Sequence, residues 1–209
     1  MRLRIGRHAL EGDIARYAQH FDFLEVASDA RNLPRLTRLA EWRAAVPEAF
    51  SFSVRLPKLV CELTSNDADV GMTLRIADAL GASWLLVQTP SQVGPSPRAR
   101  ERLKALFARL AGPDRRIAWE SRGVWEDEQA EEFAAEHGVH VVRDLLQADP
   151  PAGSLVYTRL LALGAGVQLR PSATAQLAEV LSEYDEAIVV IEGHNAQQAA
   201  KTLRQELEA

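Results

Sequence analysis

Apolar positions along the chain fall into two alternating patterns. Short runs at Leu3–Gly6, Asp22–Val26, Phe50–Arg55, Ser83–Gln88, Arg116–Glu120, Val139–Val142, Leu155–Arg159 and Ala187–Ile191 are too short for helices. Most are rich in Val, Ile, Leu or aromatic residues, so they predict strands. Between them the spacing changes to a helical period. Leu103, Leu106, Phe107 and Leu110 stand at i, i+3, i+4 and i+7, as do Leu177, Val180, Leu181 and Tyr184, and Ala196, Ala199, Ala200 and Leu203. Each set makes one buried helix face.

Punctuation residues support this division. Ser96 before Pro97 reads as an N-cap followed by proline in the first turn. Gly81, Gly112 and Gly138 each follow a helical stretch, as left-handed C-caps do. Asn195 with Gln198 three residues on reads as a capping box. The segment from Arg143 to Ser154 holds Asp149-Pro150-Pro151 and Gly153, leaving no room for a proper helix. Eight strands with helices in nearly every gap require a parallel sheet. Eight is also the number that closes a (β/α)8 barrel. The expected fold is therefore α/β, a small TIM-like (β/α)8 barrel whose crossover after strand six lacks a full helix. The alternative is an open doubly wound sheet. That fold usually keeps a Gly-rich phosphate turn after its first strand, where this chain has Gly6-Arg7-His8. No low-complexity stretch or Ser/Gly/Pro linker divides residues 1–209, so one domain is expected.

Composition narrows the function classes without selecting one. The chain is 47% apolar and 25% charged, ordinary values for a globular protein. Its 24 Lys and Arg against 29 Asp and Glu give a net charge of −5, which argues against free duplex DNA as a partner. The longest apolar run, Leu160–Val167, is far too short for a membrane span. MRLRIGRHAL has no apolar core of signal-peptide length, so a cytoplasmic location is the expectation. Cys61 is the only cysteine, which excludes an internal disulfide and any Cys-based metal site.

Several strand ends carry motif-like residues. Glu25 and Pro34 stand in FDFLEVASDARNLP. Trp42, Pro47, Phe50, Phe52, Lys58 and Thr64 stand in WRAAVPEAFSFSVRLPKLVCELT. Gln88 and Pro90 follow in LLVQTP, Glu120, Arg122 and Trp125 in WESRGVW, Asp144 in VVRDL, and Tyr157 and Arg159 in VYTRL. This ordered series resembles the YecE-like family, also called domain of unknown function 72. The resemblance runs from Ile5 to about Arg159, with an echo at Asn195-Ala196. The family's N-terminal Gly-Trp is missing, and Ser65 and Leu161-Ala162 replace its His and His-Gly, so the chain resembles a trimmed or divergent member. The resemblance implies a TIM-barrel-like fold and no established reaction.

In a parallel barrel the carboxyl ends of the strands converge on one mouth. This chain places Glu25, Arg55, Gln88, Glu120, Arg122, Asp144, Arg159, Glu192 and His194 at those ends, with Lys58 just beyond. One reading is an ion-pair network, with Glu120–Arg122 and Asp144–Arg159 as natural pairs. A second is a site for a small phosphate- or carboxylate-bearing ligand, gripped by Arg55, Lys58, Arg122 and Arg159 with Gln88 beside them. Glu25, Glu120 or Asp144 would then act as acid or base. Glycines 164, 166 and 193, with Asn195, would let backbone amides approach such an anion. A third reading gathers Glu25, Glu120, Asp144, Glu192 and His194 around a divalent metal, as in carboxylate-rich hydrolases and isomerases. A fourth is a non-catalytic binding or regulatory barrel. The metal reading has no His-x-x-x-His pair or Asp-rich loop behind it, so no metal ligands are assigned. The sequence specifies no cofactor and sets no oligomeric state. Arg98-x-Arg100-x-Arg102 reads as a solvated helix face, Cys61 as a buried thiol, and Trp125 as either a pocket wall or packing under the next helix.

Overall fold

The computed structural model describes residues 1–64, 67–160 and 169–208. In chain order the elements are β1 (Arg2–Arg7), α1 (Ile14–Tyr17), β2 (Phe23–Ala27), α2 (Leu36–Ala44), β3 (Ser51–Arg55), α3 (Lys58–Cys61), α4 (Asp67–Leu80) and β4 (Trp84–Thr89). They continue as α5 (Pro97–Leu110), β5 (Arg116–Ser121), α6 (Asp127–Glu136), β6 (Val139–Arg143), β7 (Leu155–Leu160), α7 (Pro171–Leu181), β8 (Glu186–Ile191) and α8 (Ala196–Glu208). The strands hydrogen-bond in sequence order and close as a barrel, with β1 paired in parallel to β8. The expected (β/α)8 fold is what forms. The strand interiors are almost wholly buried, as a parallel sheet wrapped by helices demands. Between β6 and β7 the chain makes only turns and bends, the expected irregular crossover. Among the described residues, no helix is long and apolar enough to cross a membrane.

Internal contacts group the chain into two compact units. The first comprises Met1–Glu25, Val46–Ser51 and Val142–Ala209. Here β1 and β7 flank β8, with Ile5 level with Val189 and Tyr157 level with Ile188. Phe23 packs edge-on against Tyr157. Gly6 lies so close to β2 that a Cβ there would stand 1.9 Å from the Phe23 carbonyl oxygen, so only glycine fits.

The second unit comprises Val26–Ala45 and Phe52–Val141. Its apolar centre joins Trp119 on β5 to Phe107 on α5, Phe133 on α6 and Trp125 in the loop between β5 and α6. Helix α5 begins as expected: the Ser96 hydroxyl accepts the Ala99 N–H, and Pro97 occupies the first turn. Gly81 and Gly138 take the left-handed conformation at helix ends. Gly112 does not. The chain leaves α5 at Ala111 in an extended conformation, and Gly112 bridges to Arg115. Pro113 explains this, because a residue before proline is driven toward extended backbone.

Candidate functional site

The second unit carries a cavity of about 600 Å3 at the C-terminal ends of its strands. Its size is typical of small-molecule sites, which span roughly 300–1,000 Å3. Arg55 ends β3, Gln88 lies near the end of β4, and Arg122 directly follows β5; all three line the cavity. Lys58, Cys61 and Glu62 contribute from α3 and its end, and Asp29 from the loop after β2.

Glu120 ties two of these side chains together. Gln88 Nε2 donates to Glu120 Oε2 at 2.7 Å, and Arg122 Nε donates to Glu120 Oε1 at 2.8 Å. Arg122 Nη2 also approaches Oε1 at 2.7 Å, and the Arg122 side chain remains 53% exposed. The expected Glu120–Arg122 pair is thus present. Lys58 Nζ stands 3.5 Å from Glu62 Oε1, one helical turn on, while its backbone N–H donates to Asp29 Oδ2. Arg55 is half-buried. Among the described residues its guanidinium makes no hydrogen bond or ion pair.

One wall of the cavity is braced by interlocked loops. Trp125 Nε1 donates to the Val93 carbonyl at 2.7 Å, and the Arg100 guanidinium lies over the Trp125 ring. Trp125 therefore packs beneath α6 and does not line the cavity, and Arg100 is not part of a solvated stripe. Gly123 has φ +97°, and a Cβ there would stand 2.6 Å from Ser91 Cα. Only glycine allows these two loops to approach so closely. Cys61 is 2% exposed, and burial pushes its thiol up to about 11. Its Sγ accepts the Gln88 N–H at 3.4 Å.

The other sequence-derived candidates belong to the first unit. Glu25 and Arg159 meet in its interior: Arg159 Nε lies 2.9 Å from Glu25 Oε1, with side chains 2% and 1% exposed. Tyr157 also donates to Glu25, at 2.6 Å. The carboxylate thus accepts hydrogen bonds from both Arg159 and Tyr157 in the interior of this unit. Asp144 is half-buried and accepts the Leu146 N–H, opening the turn that replaces a helix after β6. Asn195 uses its side-chain amide on both backbone groups of Leu169, each at 3.3 Å, while Gln198 donates to Thr202; among the described residues no capping-box hydrogen bond joins Asn195 and Gln198. Gly193 has φ +149° and precedes α8 by three residues. Gly164 and Gly166 lie outside the described residues. Glu192 faces His8, its Oε1 3.3 Å from Nδ1. Among the described residues no group of three or more His, Cys, Asp or Glu side chains is placed to hold a metal ion.

Asp29, Ser91 and Gln92 also line the cavity, though no sequence motif marks them. Each sits in a loop directly after a strand, which was the available signal.

Residues 6–209 match the family described as "Protein of unknown function DUF72". The chain belongs to the DUF72 family. Two solved DUF72 proteins have similar folds. The one from Enterococcus faecalis V583 gives a TM-score of 0.78 at 19% identity, over 99% of this chain and 96% of that one. The one from Thermotoga maritima MSB8 gives 0.70 at 16% identity, over 100% of both chains. The same architecture extends beyond DUF72: a family 2 AP endonuclease from Brucella melitensis gives 0.63 at 12% identity, over 95% of this chain and 96% of that one. At such identities the likeness is one of fold. No curated protein matches this DUF72 chain in sequence at a significant level.

Proposed function

We propose that the cavity of the second unit binds a small anionic ligand, one bearing a phosphate or carboxylate group. The observation that carries this reading is Arg55. It lines the cavity half-buried, with no hydrogen bond or ion pair among the described residues. A guanidinium offers a planar fork that matches an oxyanion with two parallel hydrogen bonds. Lys58 and Arg122 add positive charge at the same cavity, each already balanced by one carboxylate. Arg55 is therefore the anchor, and the other two cations strengthen the local field.

On this reading Glu120 orients Gln88 and Arg122. Both its oxygens already accept hydrogen bonds from these two side chains. Gln88 contributes ligand contacts from the cavity wall. Glu25 and Arg159 support the fold beneath the strand ends, with no direct part in binding.

The test is calorimetric titration of the protein with inorganic phosphate and with citrate, repeated on Arg55→Met. Saturable binding to the unmodified protein, weakened at least tenfold in R55M, is expected. Unchanged affinity in a folded R55M protein would remove Arg55 as the anchor and the reading with it.

A further inference from the structure

The cavity wall holds more than cations. Asp29 gives Oδ2 to the Lys58 N–H, and among the described residues Oδ1 accepts nothing. Gln88 commits its amide Nε2 to Glu120 at 2.7 Å, which fixes the flip of the side chain and leaves Oε1 without a partner among the described residues. Ser91 and Gln92 bring a hydroxyl and a second amide to the same wall. Among the described residues the cavity therefore offers a guanidinium that lacks an acceptor and two oxygens that lack donors.

A bare oxyanion satisfies only half of this arrangement. It brings lone pairs to Arg55, but facing Asp29 and Gln88 it sets acceptor against acceptor. It also fills little of a volume near 600 Å3. Hydroxyl groups resolve the conflict, since each donates one hydrogen to a waiting oxygen and accepts from a neighbouring amide. A carboxylate oxygen and an amide oxygen lining one cavity suit hydroxyls carried on one carbon skeleton. A carrier with an anionic group at one end and hydroxyls along its length matches both halves.

We infer that the ligand class is a polyol phosphate, its phosphate held by Arg55 and its hydroxyls donating to Asp29 and Gln88. The inference rests on the anion reading above. It adds Asp29, which is exposed and lies in FDFLEVASDARNLP without being one of the motif residues named there, as the residue that selects the hydroxylated part.

The experiment compares glycerol 3-phosphate, D-ribose 5-phosphate and D-glucose 6-phosphate with inorganic phosphate and free D-ribose, by calorimetry. The proteins are the unmodified chain, Asp29→Asn and Arg55→Met. Asn keeps an oxygen for the Lys58 N–H, so D29N should fold, and circular dichroism checks this. At least one polyol phosphate should bind tenfold or more tighter than inorganic phosphate. D29N should lose about tenfold of that affinity, the usual worth of a hydrogen bond to a charged group, without weakening inorganic phosphate. R55M should weaken both. If inorganic phosphate binds as tightly as every polyol phosphate, the hydroxyl inference fails and the anion reading stands. If free ribose binds as tightly as its phosphate ester, or no anion binds, the anion reading fails too.

Discussion

Arg159 Nε and Glu25 Oε1 lie 2.9 Å apart although 134 residues separate them in the chain. Both side chains are almost wholly removed from solvent, and Tyr157 adds a third hydrogen bond to the same carboxylate. Removing one member of a buried pair leaves an unmatched charge in a low-dielectric interior, at a cost of roughly 3–5 kcal/mol. Arg159→Met should lower unfolding free energy by about that amount, measured by urea denaturation. Adding Glu25→Leu should recover part of the loss, because it removes the stranded carboxylate. Tyr157→Phe should cost less, about 1.5–3 kcal/mol, the range for one hydrogen bond to a charged group.

The Glu120–Arg122 pair should behave differently. Arg122 is half exposed, so solvent screens the pair and Glu120→Gln should shift stability by under about 1 kcal/mol. The same change frees Arg122 from its carboxylate and removes a negative charge from beside the cavity. Phosphate affinity should therefore rise, by up to about fivefold, in a titration at low ionic strength. A fall in affinity would mean that Glu120 contributes mainly by holding Arg122 and Gln88 in place.

Gly123 joins the loop after β5 to the loop after β4. Ala at this position combines a left-handed φ of +97° with a Cβ 2.6 Å from Ser91 Cα. Strain of this kind costs on the order of 1–3 kcal/mol. Gly123→Ala should lower the melting temperature and also weaken any ligand of the cavity, because Ser91, Gln92 and Arg122 line it from these two loops. Lower stability with unchanged affinity would show that the loops hold the fold but do not shape the cavity.

The fold was readable because its signals are local. Trp84–Thr89 is apolar almost throughout, and Asp149-Pro150-Pro151 cannot sit in a helix, so strand positions and the irregular crossover follow from short windows. The end of α5 departs from the usual glycine C-cap because Pro113 acts on its neighbour Gly112. The site divides in the same way. Glu120 and Arg122 are two residues apart, and their pairing could be anticipated from spacing. A strand buried on both faces, however, carries no periodic mark of which side chains point where. That Glu25 and Arg159 pair with each other in the interior therefore had no local mark in the sequence. Asn195 was similarly opaque: its amide is engaged by Leu169, 26 residues earlier in the chain.

Alkaline stability gives a test of a different wall residue. Burial raises the Cys61 thiol from 9.0 to about 11. In the unfolded chain the thiol ionises near its ordinary value, whereas in the folded protein it stays protonated until about pH 11. The folded state therefore binds more protons between those values, and stability must fall as pH rises through that window. The contribution is fully present below about pH 9 and is gone above about pH 11. Two pKa units correspond to no more than about 3 kcal/mol. Tyr17 adds to the same trend, since burial raises its phenol as well, while its hydroxyl donates to the Phe23 carbonyl and accepts the Arg7 N–H. Urea denaturation from pH 8 to 11 separates the two. Cys61→Ala should flatten the part of the decline that begins near pH 9, and Tyr17→Phe the part that begins near the ordinary tyrosine value. A decline unchanged in C61A would place the thiol in contact with solvent. In the unmodified protein at pH 7.5, iodoacetamide should label Cys61 far more slowly than after unfolding in urea, because the thiol is both buried and protonated.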